Sequence, residues 1–369
     1  MGKILRPTWA EIDLAAMENN LRFFHAAVGP DTKVLFVLKA NAYGHGAAPL
    51  AKFAEEKHLC EMLGTASVEE GILLRAAGVK LPVLVLGSIY PFEAFEDAAK
   101  NNLSVTIASL SAAKAVRALA DKLGQTVRCH VKQDTGMGRI GTRRDGVIKI
   151  LSELSLSKNI LIEGLYTHLS CPDTDCDFTD GQLGFFEDAA LEAKARKFDI
   201  KMLHSCATLG TLFAPRGRYD MVRVGIGAYG ALRGVKELKP VLSFKTKIVF
   251  IKDIKKCFSI SYNRSFTAEA DMKVATLPVG YGDGYLRALS NKGKVLINGK
   301  FCKVLGNVTM DMMMVDVTAA PEAKVGDEVV LIGRQGNSEI SACDAADWAG
   351  TISYEILTLI TARVPRVYI

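Results

Sequence analysis

Apolar, β-branched runs of five to seven residues recur along the chain as far as residue 226. They are KVLFVL (33–38), EMLGT (61–65), PVLVLG (82–87), LSVTI (103–107), TVRCHVK (126–132), ILIEGLY (160–166), IKMLHS (200–205) and MVRVGI (221–226). Stretches with helical spacing lie between them, among them 48–58, 67–78 and 179–198. The runs are nearly continuous in apolar character, as strands buried on both faces are. Eight strand–helix units predict an α/β fold, a (β/α)8 barrel. A doubly wound open sheet would show the same alternation, so the period alone does not separate the two.

The texture changes after residue 235. VLSFKTKIVFIKDI, KVATLPVGYGDGY and VGDEVVLIG are strands broken by Gly, Asn and Asp turns, and long helical segments stop until about residue 341. This predicts a mainly antiparallel β domain. RPTWAEIDL, near the N-terminus, also has strand character and no partner in the barrel pattern. It is expected to join the β domain, so that the two chain ends meet. The expected division is a barrel over 14–234 and a β domain made of 1–13 and 235–369.

Composition narrows the function. The chain has 369 residues, 49% of them hydrophobic, enough for a large core and a second domain. Its formal charge of +6 comes from 46 basic and 40 acidic residues with no basic run, which speaks against nucleic acid as a partner. No apolar stretch reaches the roughly 18–20 residues of a membrane span. MGKILRPTWAEIDL turns polar too early for a secretory signal, so a cytoplasmic location and no membrane partner are expected. Eight cysteines in this length do not read as a disulfide framework. The closest pair, Cys171 and Cys176, matches no zinc spacing, and no metal site is expected.

One stretch carries chemistry. In VLKANAYGHGA (37–47) a buried-looking strand ends in Lys39, followed at once by helix-breaking residues. Barrels place their chemistry at the C-terminal ends of the strands. A lysine there loses solvation, its pKa falls, and a neutral amine is a nucleophile toward aldehydes. The plain alternative is a lysine reaching past the barrel rim into water.

VLKANAYGHGA resembles the pyridoxal-phosphate (PLP) motif of bacterial alanine racemases. The resemblance continues in order through KQDTGMGRIG (132–141), YTHLS (166–170), DMVRVGIGAYG (220–230), SISYNRSF (259–266), TLPVGYGDGYLRALSNKGKVLINGK (276–300), TMDMMMVDVT (309–318), ISYEI (352–356) and RVPRVY (363–368). It implies a PLP barrel followed by a β domain, a head-to-tail homodimer with shared active sites, and interconversion of L- and D-alanine that supplies D-alanine for peptidoglycan. It also implies the roles. Lys39 carries PLP and acts as one base. Tyr262, from the partner subunit, is the second base on the opposite face, and His168 lies close to it. Arg223 faces the PLP ring nitrogen. It donates a hydrogen bond but yields no proton, which keeps the carbanion short-lived and disfavours transamination. Tyr43, Ser205, Gly225, Ile226 and Tyr354 are the implied phosphate contacts. Arg139 and the backbone of Met310 hold the substrate carboxylate. Lys132 matches a lysine carbamylated in many members, and Tyr281, with Tyr354, narrows the pocket.

Three positions depart from the family pattern: His204 beside Ser205, Asn307 where many members carry a basic residue, and Thr309 where cysteine is common. They leave open a broader or serine preference. Other readings are a PLP-barrel decarboxylase or D-amino-acid lyase, a PLP carrier, and a barrel aldolase whose lysine binds its substrate directly. The first would not require Tyr262 and the GYGDGY segment, the second would not require a large β domain, and the third would not require phosphate-anchoring tyrosines.

Overall fold

The computed structural model describes residues 5–369. Strand β1 (Thr8–Ile12) precedes the helix Leu14–Val28. Eight strands then follow: β2 (Lys33–Val37), β3 (Met62–Thr65), β4 (Val83–Ser88), β5 (Ser104–Ile107), β6 (Val127–Lys132), β7 (Ile160–Tyr166), β8 (Met202–His204) and β9 (Met221–Val224). All eight predicted runs are strands. They pair in parallel in the order β8-β7-β6-β5-β4-β3-β2-β9. The ring closes between β8 and β9, where Arg223 N–H donates to Cys206 O at 2.9 Å, Asp220 N–H donates to Leu203 O at 3.1 Å, and Ala207 bridges Arg223. The choice left open by periodicity is thereby made: the sheet is a (β/α)8 barrel. Val34, Leu35, Phe36, Leu63, Val83, Leu84, Val105 and Val131 are buried, as a sheet covered on both faces requires.

The remaining strands are β10 (Leu242–Lys247), β11 (Phe250–Ile254), β12 (Ser259–Ile260), β13 (Phe266–Thr267), β14 (Met272–Leu277), β15 (Lys294–Ile297), β16 (Lys300–Leu305), β17 (Met313–Asp316), β18 (Glu328–Gln335), β19 (Ser338–Ile340) and β20 (Arg366–Tyr368). They build a second sheet in the order β11-β14-β17-β16-β15-β18-β10-β1-β20, with β19 on β18, while β12 and β13 pair with each other. Apart from the β1–β20 pair the pairings in the second sheet are antiparallel. β1 alternates buried and half-buried side chains and lies between β10 and β20, so both chain ends enter this sheet, as expected.

Contacts divide the chain into two units. One comprises Leu21–Ala42 and Ala47–Ala228, and the other the residues up to Asn20, Tyr43–Gly46 and Tyr229–Ile369. The division departs from the expected limits at three points: the β unit takes the first part of the helix Leu14–Val28, it takes the four residues from Tyr43, and it begins again at Tyr229 and not at 235.

Within the β unit the fully buried Asp283 holds three segments. It pairs with Arg6 and with Arg363 Nε (3.2 Å), and accepts from Gly280 N–H (3.0 Å). Arg363 also pairs with Asp311 at 2.7 Å. Removing the carboxylate strands cationic and backbone donors that are built around it. Asp283→Asn is expected to cost about 2–3 kcal/mol, read as a lower unfolding midpoint in urea that Arg6→Lys reproduces only in part.

Candidate active site

Lys39 follows β2 at the C-terminal rim of the barrel, half-buried. The next four residues, Ala40, Asn41, Ala42 and Tyr43, have φ of 53°, 53°, 55° and 51°. This is a full left-handed turn with no glycine in it, and each such residue costs roughly 1–2 kcal/mol. The turn is pinned. Ala40 N–H donates to Glu70 Oε1 (2.7 Å), Ala42 N–H to Leu38 O (2.7 Å), and Asn41 Oδ1 accepts from Ala47 N–H (2.9 Å). Burial and the Arg139 charge lower the Lys39 pKa, against an opposing pull from Glu70.

Arg223 lies inside the barrel, 3% exposed. Burial pushes its pKa down to about 10, which still leaves it charged at neutral pH. Its guanidinium donates to Ser205 O (2.7 Å), Thr167 O (2.9 Å) and His204 Nδ1 (2.8 Å), and meets His168 Nδ1 at 3.3 Å. Guanidinium has only donors, so His204 Nδ1 must accept and its proton sits on Nε2. That proton goes to His130 Nδ1 at 3.0 Å, and His130 Nε2–H goes to Glu163 Oε2 at 3.0 Å. Ser104 Oγ donates to the same oxygen at 2.6 Å. A one-way chain of hydrogen bonds thus runs from Arg223 to a carboxylate on β7. Gly164 makes room for it, because a Cβ there would sit 2.3 Å from His130 Nδ1. Burial, with Arg223 next, holds both His204 and His168 well below the ordinary histidine pKa. His168, accepting from Arg223 at Nδ1, keeps its proton on Nε2. It is a neutral N–H donor.

Lys132 is buried at the end of β6, donating to Gln133 O (2.7 Å) and lying 5.4 Å from the Tyr166 ring centroid. Burial, then the Arg223 charge, brings its pKa down to about 7. Arg139 lies in the following loop and is exposed.

The phosphate expectation needs correction. Ser205 does not face the mouth of the barrel: it is fully buried, and its hydroxyl donates to Gly217 O at 2.6 Å beside Cys206. Thr208, at the start of the helix Thr208–Phe213, is the hydroxyl that meets the loop after β9. Its Oγ1 accepts from Gly225 N–H (3.0 Å) and Gly227 N–H (3.3 Å). The hydroxyl proton of Thr208 is left to donate elsewhere. Gly225 N–H, expected to face an anion, is engaged by Thr208 instead. Ile226 opens the tight turn Ile226–Tyr229, where a Cβ on Gly227 would come within 2.6 Å of Thr208.

In the β unit, the Tyr43 ring lies 4.8 Å from Tyr229 and 6.1 Å from Tyr354 on the helix Ser353–Thr358. Burial raises the Tyr43 pKa, so it is a neutral donor. Tyr262 occupies the turn between β12 and β13 and is 71% exposed. Three of its neighbours, Ser261, Asn263 and Arg264, have positive φ. Asn307 clasps this turn: its Nδ2 donates to Tyr262 O (2.8 Å) and its O accepts from Ser261 Oγ (2.7 Å). Thr309 closes the next turn, donating to Met312 O at 2.6 Å, and its carbonyl accepts from Tyr281 N–H (3.1 Å). Met310 O accepts from Gly282 N–H (2.9 Å). Tyr262, Tyr281 and Met310 therefore share one loop cluster, and two of the three departures from the family pattern are its clasps.

The sequence model described as alanine racemase, N-terminal domain, matches residues 12–233, and that described as alanine racemase, C-terminal domain, matches 241–368. The chain belongs to the alanine racemase family. A protein named alanine racemase from Halothermothrix orenii is 41% identical over 372 residues, covering 99% of this chain and 98% of its own. One from Symbiobacterium thermophilum is 42% identical over 370 residues, covering 99% and 97%. Among solved structures, alanine racemase from Clostridium difficile 630 superposes with a TM-score of 0.92 at 37% identity, covering 100% of this chain and 97% of that one. The Bacillus anthracis alanine racemase with bound L-Ala-P gives 0.93 at 36% identity, covering 100% and 96%.

Sequence reading missed Thr208, His130, Glu163 and Glu70 as parts of this site, and took His204 only as a bulky neighbour of a phosphate serine. The signal for His204 and Ser205 was strand parity. Successive strand residues face opposite sides, so a histidine facing the barrel interior puts Ser205 outside.

Lys132 gives a pH test. The unfolded chain keeps the ordinary lysine proton to about 10.4, while the fold releases it near 7. Between those values the unfolded state binds more protons, so stability rises with pH; below 7 the full penalty is present. Lys132→Met is expected to raise the unfolding midpoint by the equivalent of a few kcal/mol at pH 6, since each tenfold change in proton affinity is worth about 1.4 kcal/mol. At pH 10 the gain is expected to be much smaller. An equal gain at both pH values would show that the buried charge is not the cause.

Proposed function

We propose that this chain is a PLP-dependent alanine racemase that works by two bases, as a cytoplasmic homodimer with shared sites. The observation that carries the reading is Lys39: a half-buried amine set at the barrel rim, directly before a pinned left-handed turn, with its pKa lowered by burial and by Arg139.

The residues present fit the cofactor. Lys39 supplies the amine for its aldehyde, Arg223 a donor-only partner for its ring nitrogen, and Thr208, Ile226, Tyr43 and Tyr354 hydroxyl and N–H groups for its phosphate. Gly227 N–H donates to Thr208 Oγ1, and a Cβ on Gly227 would meet the Phe24 ring at 2.5 Å and the Thr208 methyl at 2.6 Å, so this turn packs tightly against the threonine. When bound, PLP would supply an electron sink for the substrate Cα. The Lys39 amine would take or return a proton at Cα on one face, and the Tyr262 hydroxyl of the partner subunit would do so on the other. The exposure of Tyr262 on a clasped turn supports that assignment. A phenol is a weak base at neutral pH, and the neutral His168 offers it an Nε2–H donor. Arg139 and the Met310 backbone hold the substrate carboxylate. Lys132, titrating near 7, has neutral amine available to take up CO2 with loss of a proton. The resulting carbamate would pair with Arg139. Tyr281 and Tyr354 limit the side chain, and one extra methylene costs only about 1–3 kcal/mol, so a preference for alanine over serine is expected to be graded.

Chiral chromatography of L-alanine and L-serine, each incubated with PLP-loaded protein, is expected to give D-alanine faster. Faster D-serine would move the preference to serine, and no D product from either would overturn the racemase reading. Lys39→Ala and Tyr262→Phe chains are each expected to be inactive alone and to regain activity when mixed, because one composite site in a heterodimer keeps both bases. No recovery in verified heterodimers would sink the shared site.

A further inference from the structure

We propose that Glu70 is a positioning residue for Lys39, acting through the left-handed turn, and that its carboxylate keeps the amine aimed for both cofactor binding and proton transfer. The proposal rests on Lys39 being the cofactor lysine.

Glu70 lies three residues after Ser67, the N-cap of the helix Val68–Ala76, and Ser67 Oγ accepts from Glu70 N–H at 3.4 Å. A glutamate at that position ordinarily folds back on the N–H of its own cap. Here both oxygens go elsewhere. Oε1 accepts from Ala40 N–H and Oε2 from Ala66 N–H, each at 2.7 Å. Ala40 follows Lys39 directly at the end of β2, and Ala66 follows the end of the neighbouring strand β3. The carboxylate thus ties two barrel strands together at the rim, at the residue where the backbone turns left-handed. The charge also acts on the amine: Glu70 is the acid opposing Arg139 at Lys39.

The bridge needs two acceptors. Glutamine has one acceptor oxygen, and its amide nitrogen would face a backbone N–H, donor against donor. Alanine has none. Without the strut, Ala40 loses the hydrogen bond from its own N–H, and the turn is left to the Ala42–Leu38 and Asn41–Ala47 bonds to hold a φ of 53°, which is disfavoured for a residue with a Cβ. Glycine adopts it freely. Glu70→Gln and Ala40→Gly together therefore separate geometry from charge.

The test uses PLP-loaded protein. Borohydride reduction and peptide mass analysis first ask whether the cofactor is on Lys39 in the unmutated protein. A negative result there removes the cofactor reading itself, an outcome distinct from failure of the Glu70 assignment. Glu70→Gln is then expected to lower kcat about 10–100-fold, in line with a small misplacement of a reacting group, with a smaller change in KM. The visible circular dichroism of the bound cofactor, per mole bound, is expected to weaken, while the unfolding midpoint stays near that of the parent. Adding Ala40→Gly is expected to restore part of both signals. Parental kcat and dichroism in Glu70→Gln overturn the proposal. So does a loss that tracks the unfolding midpoint alone, or a defect that Ala40→Gly leaves untouched, which would assign the carboxylate to charge and not to the turn.

Discussion

The arrangement of the barrel interior follows from one buried charge. A guanidinium out of water is tolerated only when its donors are met and a counter-charge is within reach. Arg223 meets this with two backbone carbonyls, two imidazoles and, at the far end of the histidine pair, Glu163. The two ends of that chain are fixed in character, one only donating and the other only accepting, so both histidines have a single allowed tautomer. Gly164 follows from the same constraint, since any side chain there would collide with His130. Tyr166 stacks flat on His204 at 4.6 Å and presents its ring to the Arg223 guanidinium at 5.3 Å. A donor that keeps its proton at neutral pH is thereby fully bonded among strands β6 to β9.

The residues proposed above differ in kind between the two units. The barrel carries amines, guanidinium and imidazole on strand ends and short turns. The β unit carries phenols and loop backbone: Tyr43 and Tyr354 in one region, Tyr262, Tyr281 and Met310 in another. Its loops depend on clasps and not on burial for their shape. Asn307 and Thr309 are such clasps, which gives a structural reason for two residues that the family pattern alone would have read as changes in substrate access.

Much of this was legible in the sequence, and the parts that were not share a cause. All eight barrel strands stood out as apolar runs, because strands covered on both faces leave no polar interruption. The docking of β1 beside β20 was legible because RPTWAEIDL had no place in the alternation. Lys39, His168, Arg223 and Tyr262 were named from motif order. Ser205 was misplaced because a serine just after a strand looks alike whichever way it faces, and only the pairing of His204 with Arg223 fixes the parity. Glu70 and Glu163 were invisible for a related reason. Each acts through a partner some thirty residues away in sequence, Ala40 or His130, and an acidic residue in a helix's first turn or on a strand has an ordinary local explanation.

The balance of charge around the site links its chemistry to its stability. The Arg139 charge lowers the proton affinity of Lys39, Lys132 and Arg223, Arg223 lowers that of Lys132 as well, and the acids set against these cations are few: Asp134 at Lys132, Glu70 at Lys39, Glu163 at the end of the histidine chain. Like charges gathered in a partly dry site destabilise the fold that holds them. A phosphate, a substrate carboxylate or a carbamate on Lys132 would each relieve part of that repulsion, and anything that binds the folded state alone also stabilises it. The excess of cations that costs stability is thus the same feature that would favour an anion there. The strained left-handed turn belongs to the same trade, in which local stability is given up at the rim so that one amine points where the chemistry requires.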